Sequence, residues 1–239
     1  MSVYAIIILL IFRCFGGQMK KVIILNGSPR KNFNTAQLLK EAQKGAESAG
    51  AEVEYINLVD INFKGCMSCF ACKRKGVNLN GLCALKDDLR PVLEKIVNAD
   101  AVIIGSPIYY SYPTGMFRNL LERMLFAGGT YMIDKNGKPM RNLKQNIPVG
   151  LIFTMNVPAN LMPQYEYPTI LGANEMCLKM IYGYCETLNV CDTYQFTDYS
   201  KYDCNMFSEE HKKQVKETQF PKDLEKAFDM GKKLAEMDI

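Results

Sequence analysis

The clearest signal along the chain is a repeated exchange between two hydrophobic periods. Lys21–Asn26 (KVIILN) is a continuous apolar run, as expected of a parallel strand buried on both faces. Ala36, Leu38, Leu39, Ala42, Ala46 and Ala49 then recur at helical spacing and Gly50 follows as a stop, which predicts a helix over Thr35–Ala49. The exchange continues with strands at Glu52–Leu58, Ala101–Gly105, Ile147–Thr154 and Val190–Phe196, and helices at Asp87–Asn98, Gly115–Phe126, Gly172–Leu188 and Lys222–Met237. Strands alternating with helices in this way predict an α/β fold: a doubly wound, five-stranded parallel sheet with helices on both faces. Met176, Met180 and Tyr184 recur at helical spacing and read as core, whereas Lys201–Glu217 reads as a polar surface excursion. The connections 59–86 and 127–146 are long, and long connections in compact domains are usually functional.

The amino terminus does not fit this rhythm. Val3–Phe12 is an unbroken apolar run of half the ~20 residues a spanning helix needs, with no Lys or Arg before it and no small-residue cleavage site after it. Met19-Lys20-Lys21-Val22 leads directly into a strand, and Gly16-Gly17-Gln18 can be encoded by codons resembling a ribosome-binding site. The expectation is that residues 1–18 are translated upstream sequence and that 19–239 form a single domain with a cysteine-rich loop at 65–86. A short membrane-surface anchor is the rival; no membrane span is expected.

Composition narrows the class. Of 239 residues, 48% are hydrophobic and 23% charged, which argues against disorder or coiled coil. Lys plus Arg number 29 against 25 Asp plus Glu, and a surplus of +4 predicts no nucleic-acid partner. A single histidine, His211, excludes any two-histidine mechanism, and its charged neighbours read as a solvated face. The nine cysteines are an odd set, four of them within residues 66–83, which does not read as a secreted disulfide framework and favours a reducing cytoplasm. Cys177, Cys185 and Cys191 read as small buried hydrophobes.

Three loops leave the carboxyl ends of strands. Gly27-Ser28-Pro29-Arg30-Lys31-Asn32-Phe33-Asn34-Thr35 joins the first strand to a helix, combining a tight turn, short hydrogen-bonding side chains, two cations and a helix N-terminus. That suits a phosphate, although a polar turn with a capped helix would use the same residues. It is neither G-x-x-x-x-G-K-[ST] nor G-x-G-x-x-G, so a dinucleotide site has no support. Gly105–Gly115 (GSPIYYSYPTG) follows the third strand, offering aromatic rings and backbone N–H groups to a flat heteroaromatic ring. In a doubly wound sheet this loop faces the first. Thr154-Met155-Asn156-Val157-Pro158 follows the fourth strand into the same region.

GSPRKNFNT followed by GSPIYYSYPTG resembles the flavodoxin-like NAD(P)H-dependent FMN reductases, in particular their iron–sulfur flavoprotein branch, from Met19 to about Asn156. The resemblance implies FMN as cofactor and NAD(P)H as a transient co-substrate. It implies that Ser28, Arg30, Asn34 and Thr35 hold the FMN phosphate and that Pro107, Ile108, Tyr109 and Tyr110 lie along the isoalloxazine. Thr154 and Asn156 are expected in the same pocket. Phe33 stands where relatives usually carry glycine, so its ring must point away from the phosphate or cover the pocket. No catalytic acid or base is expected, because direct hydride transfer needs none.

Cys66, Cys69, Cys72 and Cys83 are spaced C-x2-C-x2-C-x10-C. Soft thiolates select iron–sulfur clusters, zinc or Cu(I). The branch carries a compact C-x2-C-x2-C-x-C loop, so the first three cysteines match and Cys83 is displaced. A 4Fe–4S cluster, redox-active thiols without metal, and zinc all remain open. The expected function is an FMN-dependent oxidoreductase moving electrons from NAD(P)H or a ferredoxin-type donor to an unidentified acceptor. The alternatives are a flavodoxin-like electron carrier and a thiol-based redox or metal sensor. The resemblance also implies a homo-oligomer, with the 109–112 loop and the 127–146 excursion as candidate contacts.

Overall fold

The computed structural model describes residues 19–239; the expectation for residues 1–18 lies outside the described residues. In chain order the elements are β1 (Lys21–Asn26), α1 (Asn34–Ser48), β2 (Glu52–Asn57), α2 (Leu89–Ile96), β3 (Ala101–Tyr109), β4 (Tyr112–Pro113), α3 (Gly115–Gly128), β5 (Gly129–Ile133), β6 (Pro139–Arg141), β7 (Val149–Thr154), α4 (Tyr167–Tyr182), β8 (Cys185–Val190), α5 (Glu209–Thr218) and α6 (Phe220–Glu236). The sheet runs β2-β1-β3-β7-β8, all parallel, with β4 added antiparallel to the end of β3. This is the doubly wound order in which the chain reverses direction between β1 and β3.

Both faces are covered, which explains the unbroken apolar runs. In β1, Val22 and Ile24 pack with Leu38, Leu39 and Ala42 of α1 and with Ala227, Met230 and Leu234 of α6. Ile23 and Leu25 face the other way, onto α2, α3 and α4 through Leu93, Ile96, Leu120, Met124 and Leu178. The α1–α6 crossing is very close: a Cβ on Gly231 would stand 1.9 Å from the Ala42 carbonyl oxygen, so only glycine fits there.

Four expectations are corrected. The fifth strand is Cys185–Val190, not Val190–Phe196, and the helix before it is Tyr167–Tyr182, not Gly172–Leu188. Gly183, at φ +91°, ends that helix early, its N–H bonded to the Lys179 carbonyl. The helical phase is then set by Leu171, Leu178 and Ile181 facing the sheet, so Met176 and Met180 are 66% and 58% exposed rather than core. The polar stretch 201–217 contains most of α5, which buries Lys212. The 127–146 connection holds the β5–β6 antiparallel hairpin. No helix among the described residues is long and apolar enough to cross a membrane.

Candidate functional site

Parallel strands send all their following loops to one edge, and there the loops after β1, β3 and β7 enclose a cleft. Nine residues singled out in the sequence line it: Ser28, Arg30, Asn34 and Thr35 from the first loop, Thr154 and Asn156 from the third, and Pro107, Ile108 and Tyr109 from the end of β3, which continues to Tyr109 rather than stopping at Gly105 because its last residues pair with β7 and β4. Phe33, Met155, Thr193 and Gln195 complete the wall. Tyr110 lies outside it, wholly exposed, because Tyr110 and Ser111 (φ 47° and 71°) form the two-residue turn of the β3–β4 hairpin.

The loops are locked together by short contacts. The Gly27 N–H donates to the Gly105 carbonyl at 2.8 Å, and a Cβ on Gly27 would meet that same oxygen at 2.9 Å, so glycine is required where the two loops touch. The Thr114 hydroxyl donates to the Gly27 carbonyl at 2.7 Å and accepts from the Phe117 N–H, capping α3 against the first loop. The Thr35 and Thr154 hydroxyls meet at 2.7 Å, joining the first loop to the third. Ser28 accepts from the Arg30 N–H at 3.1 Å and donates its own N–H to Asn26 Oδ1.

Helix α1 opens onto this cleft without a side-chain cap, since Phe33 holds the N-cap position and supplies no hydrogen bond. Its first-turn N–H groups and positive dipole end are thus left for an anion. Phe33 lines the pocket, and the Arg30 guanidinium lies 3.9 Å over its ring. Arg30 also donates to the Gln195 carbonyl at 2.7 Å and Asn34 to the Tyr194 carbonyl at 2.8 Å, drawing the segment after β8 across the cleft mouth. Thr193 and Gln195 escaped the sequence reading because they were assigned to the interior of a strand that ends at Val190.

Behind the third loop lies a buried ionic group. Lys212, 1% exposed, donates to the Asn156 carbonyl at 2.6 Å and pairs with Asp192. The opposite carboxylate oxygen of Asp192 meets His211 Nε2 at 2.5 Å, so the His211 ring is exposed but partnered. Burial pulls the Lys212 ammonium below its ordinary pKa, against the opposing hydrogen bond to Asp192. Within the cleft wall, Asn156 Oδ1 is buried and has no hydrogen-bond partner.

The four loop cysteines converge elsewhere. Cys66, Cys69, Cys72 and Cys83 line one cavity of about 160 Å3, closed by Phe70, Phe126 and Arg123. Ser68 and Phe70 sit at φ 51° and 55°, and these left-handed residues curl the chain around the cavity that the first three cysteines line, Cys69 remaining exposed. Arg90 donates to the Cys83 carbonyl at 2.8 Å, bringing the fourth back across its ten-residue gap. Burial chiefly, with Cys83 and Cys66 nearby, raises the Cys72 pKa while Lys73 opposes. Among the described residues no three or more His, Cys, Asp or Glu side chains are gathered closely enough to hold a metal ion. The described cysteines are free thiols; Cys185 is buried, whereas Cys177 and Cys191 are only partly so.

Residues 20–155 match the NADPH-dependent FMN reductase family, and the chain belongs to that family. Within it, the similarity is to iron–sulfur flavoproteins. One from Archaeoglobus fulgidus is 41% identical over 107 residues, covering 45% of this chain and 50% of that protein. Another, from Methanocaldococcus jannaschii, is 36% identical over 103 residues, covering 43% and 51%. The chain therefore spans about half the length of these relatives. Among solved structures, the NAD(P)H:quinone oxidoreductase from Methanothermobacter marburgensis superposes with a TM-score of 0.64 at 15% identity, over 93% of this chain and 100% of that one. The azoreductase from Bacillus anthracis str. Sterne gives 0.60 at 14%, over 90% and 100%. At these identities the likeness is one of fold, and that fold is flavodoxin-like.

Proposed function

We propose that this chain is an FMN-dependent oxidoreductase taking electrons from NAD(P)H or a ferredoxin-type donor, with FMN in the cleft and a 4Fe–4S cluster in the four-cysteine cavity. The observation that carries the reading is the convergence of the phosphate-type loop, the aromatic loop and the Thr154–Asn156 turn on one cleft. The chain's residues suit FMN there. The uncapped N-terminus of α1 and the Arg30 guanidinium supply positive potential for a phosphate, and Ser28, Asn34 and Thr35 supply hydrogen-bonding groups. Pro107, Ile108 and Tyr109 offer a flat wall for the ring, and the unpaired Asn156 Oδ1 is an acceptor available to a ligand N–H. Bound FMN would supply hydride and one-electron chemistry that the side chains lack.

Four thiols lining one cavity support an iron–sulfur group there, and the cysteine spacing lacks the two separated C-x2-C pairs or added histidine of most structural zinc sites. The exposed Tyr131, Met132 and Ile133 of β5, with Met176 and Met180 of α4, are candidate contacts between copies of the chain. Sedimentation of a monomer at micromolar concentration would count against that association.

The test is an absorption spectrum of protein purified without oxygen, with iron, sulfide and FMN assayed on one sample, before and after NADH or NADPH. Flavin bands bleached by a nicotinamide, with iron and sulfide present, are expected. Flavin that neither nicotinamide reduces would remove NAD(P)H as donor and leave a ferredoxin-fed oxidoreductase or an electron carrier. A colourless protein that cannot be reconstituted with FMN would overturn the reading.

A further inference from the structure

Arg123 of α3 is set into the wall of the four-cysteine cavity, and its side chain is fully buried. Nη1 donates to Asp87 Oδ2 at 2.5 Å and to the Lys64 carbonyl at 3.3 Å, and Nη2 donates to the Leu85 carbonyl at 3.1 Å. Nε is buried as well and has no hydrogen-bond partner.

Two aspects of this arrangement go beyond packing. The two carbonyls belong to residues 64 and 85, just before Cys66 and just after Cys83, so one guanidinium clasps the cysteine segment at both ends. The long gap before Cys83 is thereby closed from outside the loop. The second aspect is the unpaired N–H. A buried donor without an acceptor is costly, and the cavity beside it is walled by sulfurs, which accept hydrogen bonds once deprotonated to hold metal.

We infer that Arg123 is a positioning residue for the group held by these cysteines: it fixes Cys83 as the fourth ligand and donates its Nε–H to a sulfur in the cavity. The inference rests on the cluster reading proposed above. Four thiolates bring negative charge into a buried space, and one-electron reduction adds more. A fixed guanidinium favours the more negative state, and its ion-pair partner Asp87 opposes it. Removing the cation therefore makes reduction harder; neutralising Asp87 makes it easier. A residue that merely packed the loop would change how much cluster is bound but not its potential.

The experiment is anaerobic reconstitution of the full chain with ferrous iron and sulfide, followed by dithionite titration of wild type, Arg123→Gln, Arg123→Lys and Asp87→Asn. Wild type should take up iron and sulfide together. Arg123→Gln should shift the reduced-to-oxidised ratio at a fixed potential tenfold toward the oxidised form, about 59 mV for a one-electron couple. Arg123→Lys should recover part of that shift, and Asp87→Asn should shift the ratio in the opposite direction. Potentials identical to wild type in Arg123→Gln and Asp87→Asn would overturn the inference, whatever their iron content. Where Arg123→Gln does not fold, judged by circular dichroism, Arg123→Lys and Asp87→Asn carry the comparison. A wild-type chain that takes up no iron or sulfide would overturn the cluster reading itself.

Discussion

Lys212→Met tests whether the buried ion pair behind the third loop supports the cleft. The substitution keeps the volume of the stem and deletes the ammonium, leaving the Asp192 carboxylate and the Asn156 carbonyl without their donor. Breaking a buried pair by removing one partner costs about 3–5 kcal/mol. Here the lower end applies, since His211 still bonds the far oxygen of Asp192 and the Asp192 side chain is 13% exposed. A loss of about 3 kcal/mol in a chain this size lowers Tm by roughly 6–12 °C. Adding Asp192→Asn removes the stranded charge, and asparagine tolerates the left-handed backbone of that position (φ 59°). The double variant should therefore be more stable than Lys212→Met by about 1–2 kcal/mol, a coupling read by a double-mutant cycle in thermal or urea unfolding. A single-variant loss below about 1 kcal/mol, or a double variant whose losses simply add, would refute the assignment of Lys212 as a supporting charge.

Other outcomes follow from the same geometry. Arg30→Ala should weaken FMN binding by roughly ten- to a hundredfold, the worth of a charge-assisted hydrogen bond, while leaving riboflavin binding unchanged in a fluorescence titration; an equal loss for riboflavin would remove the phosphate role. Although burial raises it, Glu175 is held below the ordinary carboxylate pKa by hydrogen bonds from Lys179 and Thr187. Its stabilisation is present above the unfolded carboxylate pKa and is lost as pH falls through the lower folded value. Glu175→Gln should therefore destabilise the protein at pH 7 and flatten the acid limb of its Tm–pH curve; an unaltered limb would contradict this. Burial pushes the Cys185 thiol up to about 12. In folded protein stripped of iron, at pH 8, iodoacetamide should therefore label exposed Cys69 and spare Cys185 by peptide mass spectrometry.

The sheet was legible because its signal is local. Each parallel strand buried on both faces writes its own apolar run, and β1, β3 and β7 were found within a few residues. The cleft followed, since chain order and the switch-point rule place the loops after β1 and β3 side by side. What escaped depends on the tertiary setting. Gly183 reads as one tolerable glycine in a helical pattern until its left-handed backbone ends α4, and the displaced boundary hid Thr193 and Gln195. Lys212 sits in a run of charges, and only packing of α5 against the Asn156 turn distinguishes it from its neighbours. The role of Arg123 depends on carbonyls of residues 64 and 85, far from it in sequence.

Helix α3 takes part in both assemblies. Thr114 at its N-cap grips the loop of the cleft, and Arg123 reaches the cysteine cavity nine residues later. At 1.5 Å and 100° per residue that is about 14 Å of rise and two and a half turns of rotation. The helix acts as a keyed shaft: the two sites are linked in phase as well as in distance. One residue inserted between positions 115 and 123 would lengthen it by only about 1.5 Å but swing Arg123 about 100° off the cavity, leaving the cleft end in place. An insertion of seven, close to two full turns, would restore the bearing at a greater separation. Tolerance of insertions in this helix should therefore be periodic.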